Sequence, residues 1–457
     1  MAINMNNEKE NPRRNFIKKS ALAATAINLS GLFWESEAKA MAKVIELNSD
    51  KPASEQKTVA LIANIYRNSA HADVIATKLF VGIPTDDGMV APQVKIVSVW
   101  IDQIGDNDTG VQIAGMNGAK MYDTIAGALT LGGDKLAVDA VIYVGEHGDY
   151  DKSRYGIKMY PRMNYLEQIF RVFDASNKSV PLFNDKHLSY SWLDSKWVYD
   201  RSKELNVPMM AGSSLPFCWR DKPLEHPLGV KISEAVGIGY ASLDAYGFHV
   251  AEILQCMVER REGGETGVSS VLGLSGADVW KAMDDGRINL ELVEAACSKI
   301  QGRKEGNMRD LVKDPNAILV EYTDGTKGAI VMLTGYVNQG WAYAANTSQG
   351  QVATEFVLDH SMSYSHFSYL TLNIQKFIVT GKPTAPVERT LLTSGISDMG
   401  IRSLVDGKKI ETPFLNIKYS AAGFEPIRPT APRPEGQSVG PWPPKGYEFI
   451  IPERFKK

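Results

Sequence analysis

Two short polar runs stand directly after apolar ones. "GEHGDY" follows "AVIYV" and supplies Glu146, His147 and Asp149; "NDKHLSY" follows "SVPLF" and supplies Asn184, Asp185, Lys186 and His187. Imidazoles and carboxylates are the groups that most readily exchange protons in a catalytic site. Gly145 and Gly148 let Glu146 and His147 turn tightly beside a ligand. Loop Asp and Asn residues also cap helices, but two histidine-bearing runs at strand ends point to one shared site. A third group is His249 with Glu252, at i and i+3 in the first turns of a helix predicted from about Tyr246 to Arg261. Its buried stripe is Val250, Ile253, Leu254, Met257, Val258 and Arg261, so His249 and Glu252 share a different face. There the carboxylate can orient the imidazole, or both can reach one ligand. Cys256, a turn further on, is read as packing.

The elements that must position these groups follow from periodicity. "TVALIAN", "VKIVSVWI", "AVDAVIYVG", "SVPLF" and "VPMMAG" are continuous apolar strands that alternate with amphipathic helical stretches. That alternation predicts a parallel α/β sheet covered on both faces, with ligands beyond the carboxyl ends of its strands. After the strand "KISEAVGIGYAS" and the His249 helix come "AILVEYT", "GAIVMLTG", "GWAYAAN" and "QVATEFVL" without helices between them. The fold class is therefore α/β: an N-terminal Rossmann-like parallel sheet plus a C-terminal α+β domain with a mainly antiparallel open sheet. The expected boundaries are 41–216, 217–423 and a Pro/Gly-rich C-terminal arm, 424–457, extended on the surface. "AGSSLPFCWR" should run along the domain boundary, where Ser213, Ser214 and Arg220 could contact a polyol or carboxylate. The charged loop "ERREGGETGV" is read as solvated. His71 is a weaker pocket candidate; His226, His360 and His366 have no partner that the sequence names.

Residues 1–40 read as an export signal. Arg13 and Arg14 precede an apolar stretch from Ala21 to Phe33, and Ala38-Lys39-Ala40 forms a cleavage site, giving a mature start at Met41. The apolar stretch falls well short of the roughly 18–20 residues of a membrane span. The expected route is the twin-arginine (Tat) machinery and the expected location periplasmic or secreted. The chain carries 50 Lys and Arg against 53 Asp and Glu, with no basic block, which excludes nucleic acid as the expected partner. Cys218, Cys256 and Cys297 are odd in number and lack metal or redox spacing, so they are read as core residues.

The first strand ends in "ANIYRNSAH", where a dinucleotide turn would place glycines at Ala63, Ile65 and Asn68. Ile65 blocks the backbone's approach to a pyrophosphate. Asn68 and Ser69 are suited to cap the following helix, which predicts a turn closed on itself. The amides of that helix could still take an anion or a displaced cofactor.

The order of elements resembles the Gfo/Idh/MocA family of sugar oxidoreductases across roughly Lys57 to Tyr419. Asp185-Lys186-His187 is similar to that family's E-K-P, and Gly247-Phe248-His249-Val250-Ala251-Glu252 to its G-x-H-x-x-D. "KPTAPVERTLLTSGISDMGIRSL" resembles its closing segment, and Asp102 its ribose-binding carboxylate. The resemblance implies a carbohydrate or polyol substrate, NAD(P) as cofactor, Lys186 polarising a hydroxyl or ketone, and His249 moving its proton. Ile65, Asn68 and Asp102 would occupy the cofactor positions; Asp185, Glu252, Ser213 and Arg220 would bind substrate. Two alternatives stand beside it. In one, a divalent metal on Glu146, His147, His187 and His249 assists a lyase, hydrolase or isomerase acting on a keto-sugar. In the other, the chain binds sugar without catalysis. A homo-oligomer is compatible with each.

Overall fold

The computed structural model describes residues 56–85, 88–358 and 365–429. The leader with its Met41 cleavage point, His360 and residues 430–457 of the arm lie outside the described residues.

Six parallel strands form the first sheet, in the order Lys120–Met121, Val94–Ile101, Lys57–Ala63, Ala140–Val144, Leu182–Asp185, Met209–Gly212. Each neighbouring pair is parallel, and the chain leaves the first strand in one direction and later returns to its other side. That is the doubly wound order, whose switch point opens a crevice at the carboxyl ends. Every residue of Ala140–Val144 is buried, as a strand covered on both faces requires. The helix Arg162–Ala175 covers one face through Leu166, Ile169, Phe170 and Phe173, spaced for a single apolar stripe.

The second sheet has eight strands. Their order is Ile410–Glu411, Val268–Ser275, Asn316–Tyr322, Lys327–Met332, Ile232–Gly239, Ala342–Thr347, Gly350–Val357, Trp219–Asp221. All pairs are antiparallel except Ile232–Gly239 with Lys327–Met332. "DGTKG" makes the expected tight hairpin between Asn316–Tyr322 and Lys327–Met332. One face packs on the helices Phe248–Val258 and Val387–Asp406. The other face is covered by Ala277–Asp284 and Leu290–Lys299, whose Val279, Leu292, Val293 and Ala296 meet Val236, Ile238, Val331 and Ala344.

The loop read as solvated is instead a buried anchor. Glu265 and Arg261 pair at 2.9 Å, and Glu265 Oε1 also accepts the amides of Thr266 and Gly267. The first residues of the arm pack as well. Ile427 is buried and exchanges two hydrogen bonds with the Asn373 side chain. The three cysteines are buried and unpaired. No helix among the described residues is long and apolar enough to cross a membrane.

Candidate active site

The carboxyl ends of Ala140–Val144 and Leu182–Asp185 open into a cavity of about 490 Å³, closed by Tyr240 and Trp341 at strand ends of the second sheet and by Tyr246 and His249 of the helical segments Leu243–Gly247 and Phe248–Val258. Glu146, His147, Lys186 and His187 line it together with His249. The chain bends hard to present them. His147 and Lys186 have left-handed backbone, φ 63° and 62°, as does Ser69 at φ 62° on the same wall. Non-glycine residues rarely take this conformation, and where they persist they cluster at functional sites.

Glu146 is the electrostatic centre. One carboxylate oxygen receives the Arg162 guanidinium, and the other lies 2.9 Å from Lys186 Nζ. Burial alone would raise this carboxyl, but the charges of Lys186 and Arg162 outweigh it and hold it well below the carboxylate range. Two cations against one anion leave an excess positive charge beside the cavity. Lys186 Nζ also reaches the Ala245 carbonyl at 3.2 Å, so it is held between the loop after Ala140–Val144 and the helical turn Leu243–Gly247.

Three of the histidines are held uncharged. Burial pushes His187 and His249 well below the usual imidazole value, and brings His147 down to about 4. His249 Nδ1 lies 2.7 Å from Ser213 Oγ, which also accepts the Leu215 amide. The His249 ring stands edge-on to Trp341, itself stacked on Tyr246 with ring centres 5.6 Å apart. A polar floor against an aromatic wall suits a ligand that has both hydroxyls and an apolar face.

Four side chains expected to bind substrate have other work. Glu252 is buried beneath the cavity and accepts hydrogen bonds from Thr393 at 2.7 Å and the Ser213 amide at 3.4 Å. It therefore supports the partner of His249 rather than orienting His249 itself. Ser213 touches the imidazole, while its neighbour Ser214 lines the cavity. Asp185 is wholly buried and holds His71 Nδ1 at 2.7 Å. Arg220 is buried against Glu225, which Arg428 also reaches at 2.6 Å, away from the cavity lining. Nor do the four residues of the metal alternative form a centre. Among the described residues no group of three or more His, Cys, Asp or Glu could hold a metal ion. Glu146, the sole carboxylate of that set, is already engaged by two cations.

Sequence reasoning missed Arg162, Tyr160, Lys158 and the aromatic wall. The signal for Arg162 was present: an arginine follows Pro161 at the mouth of an otherwise apolar-faced helix. Nothing local marks Trp341, which reaches the site only because its strand pairs beside Ile232–Gly239.

The opening turn does not fit a dinucleotide seated in the usual way. Ile65 is packed into the protein, with 8 % of its surface exposed. The Ser69 amide, a donor that a phosphate would need, is taken by Asp73 Oδ2 at 2.8 Å. Asp73 Oδ1 accepts the Thr77 hydroxyl, which also meets Tyr66 OH at 2.7 Å. The turn is thus closed on itself, though by Asp73 rather than by the expected caps Asn68 and Ser69. The Asn68 side chain reaches only Ser69 Oγ, at 3.4 Å. At the ribose position, Asp102 Oδ2 accepts the Tyr150 hydroxyl at 2.7 Å.

No family model and no curated protein matches the sequence. Solved structures do. GenD2 from gentamicin A biosynthesis, in complex with NAD, is 14% identical, with 79% of this chain and 97% of that one covered at a TM-score of 0.50. Myo-inositol 2-dehydrogenase from Lactobacillus plantarum is 11% identical, covering 78% and 99% at 0.47. Scyllo-inositol dehydrogenase from Lactobacillus casei, with bound NAD(H) and scyllo-inositol, is 10% identical, covering 78% and 99% at 0.49. At such identity what is shared is the architecture: this chain has the two-sheet fold of the Gfo/Idh/MocA-type dehydrogenases that its sequence resembles.

Proposed function

We propose that this chain is an exported enzyme acting on a sugar or polyol, moving protons at a carbon that bears a hydroxyl or ketone. The observation that carries the reading is the convergence of Lys186, held by Glu146, and His249, held by Ser213, on one aromatic-walled cavity. Lys186 presents an ammonium to the substrate oxygen. The His249 imidazole, neutral because it is buried, takes or returns that oxygen's proton. The fold shared with GenD2, which was solved with NAD, supports the oxidoreductase form of this reading.

A second form is favoured by the closed turn. With Asp73 on the Ser69 amide and Ile65 filling the backbone approach, the same groups suit a non-redox reaction on a keto-sugar. There a proton beside the ketone is removed while Lys186 meets the charge developing on oxygen. Equilibrium titration with NAD(H) and NADP(H), run beside deuterium exchange into a panel of ketoses in D2O, separates the forms. Micromolar nucleotide binding that D102N abolishes establishes the oxidoreductase. Exchange without nucleotide binding establishes the second form, and neither result overturns both. Export follows from the twin-arginine leader: R13K/R14K should hold the protein in the cytoplasm, and unchanged export of that variant would refute the route.

A further inference from the structure

The His71–Asp185 pair is not used by the mechanism above. Asp185 ends the strand Leu182–Asp185 and is fully buried. One of its oxygens has no partner, and the other lies 2.7 Å from His71 Nδ1. His71 stands at the opening turn, where a dinucleotide would otherwise approach, and lines the cavity with its side chain 14% exposed. Its ring is wedged edge-on between His147, at 5.3 Å, and Phe367, at 5.0 Å. Among the described residues no hydrogen-bond partner holds Nε2.

A buried carboxylate on one ring nitrogen fixes which nitrogen carries the proton. Nδ1–H donates to Asp185, and the lone pair is left on Nε2. A histidine so oriented is a base whose developing positive charge is met by the carboxylate behind it. Lys186 supplies the complementary group, a cation on the same cavity. Glu146 is engaged by Lys186 and Arg162, and burial brings His147 down to about 4, which makes it a weak base, so neither competes for the proton.

We propose that His71, positioned by Asp185, is a catalytic base that removes the proton from the carbon next to a substrate ketone. This rests on the proton-transfer reading of the same cavity and deepens it. The C–H bond breaks toward Nε2, a carbon–carbon double bond forms, and the carbonyl electron pair moves onto oxygen beside Lys186. Return of the proton from His71 to the same carbon completes an exchange. Its return to the former carbonyl carbon completes an isomerisation, with His249 taking the proton of the adjacent hydroxyl as that oxygen becomes the new carbonyl and delivering it to the oxygen beside Lys186. No oxidant is consumed. The substrate class is a ketose or keto-sugar, and the closed dinucleotide turn is what lets an imidazole occupy this place.

The full chain tests it through two readouts. In D2O with the ketose panel, H71Q should exchange deuterium about 10²- to 10⁴-fold more slowly than the wild type, while sugar binding by calorimetry persists. D185N should slow exchange with a comparable loss in kcat and little change in KM. Exchange by H71Q at the wild-type rate overturns the assignment. The second readout needs no substrate. Imidazole NMR should place the His71 proton on Nδ1, and diethyl pyrocarbonate should acylate Nε2 rapidly in the wild type but slowly in D185N. A proton on Nε2, or an unreactive Nε2, also overturns it. If the wild type exchanges no ketose, the proton-transfer reading fails, and this second readout alone upholds or refutes His71 as an oriented base.

Discussion

Glu146 sits between two cations that would repel each other without it, so substitutions around it should not be equivalent. E146Q leaves Lys186 and Arg162 buried together and should destabilise the fold by about 3–5 kcal/mol in urea unfolding. K186M keeps the Arg162–Glu146 pair, so its stability cost should be smaller. Its activity cost should be large, about 10²- to 10⁴-fold in turnover, because the polarising ammonium is gone. A non-additive E146Q/K186M double variant, more stable than the sum of its singles, would identify the ion pair as the coupling. At this scale the sequence was partly legible. Residue type and strand-end position singled out Glu146, His147, Lys186 and His187, and helical spacing singled out His249. It misassigned Asp185 and Glu252, because a carboxylate's partner is set by chain segments far away: His71 for one, Thr393 for the other.

Elements aim these residues, and two of their termini can be tested directly. Gly212 ends the strand Met209–Gly212 with φ 124°, and its carbonyl accepts the Lys186 amide at 3.0 Å. A Cβ there would stand 2.7 Å from Glu252 Oε2. G212A should therefore destabilise by about 1–3 kcal/mol and shift the Lys186 and Ser213 amide resonances together. The opening turn gives the second test. Asp73 closes it by accepting from Ser69 and Thr77, so D73A should cost about 1–2 kcal/mol, read from denaturant midpoints. The apolar runs and their breaks revealed that the strand and turn exist. Only the path of the chain revealed that Asp73, four residues on, folds back to fill the amide.

For the whole molecule, buried neutral histidines and paired carboxylates set the response to acid. His147 and His226 fall to about 4 through burial, and His187 and His249 lie well below the ordinary value near 6.5. Below pH 6.5 the unfolded chain takes up protons that the folded chain refuses, so stability should decline from pH 6.5 toward 4. Glu225 behaves differently. Burial would raise it, yet Arg428, Arg220 and Arg260 hold it down at about 2. Its contribution is present above the ordinary carboxylate value and is lost as the pH falls toward 2. Thermal unfolding across this range should thus show an early and a late decline, and H147Q should flatten the early one. A decline unchanged by H147Q would exclude that residue as a contributor. The sequence alone determined the α/β class, five of the six strands of the first sheet and the strand-end clusters, because hydrophobic period and apolar run length are local properties; the two-residue strand Lys120–Met121 is too short to leave such a run. It also determined that a glycine-free turn would close on itself. Only the tertiary structure decided which groups meet: Trp341 enters by sheet pairing, Tyr246 by the helical turn Leu243–Gly247, Arg162 by helix docking, and His71 by the return of Asp185 beside the first turn. Hydrogen bonds and ion pairs between residues scores of positions apart leave no periodic trace, so their partners emerge only when both sheets are packed.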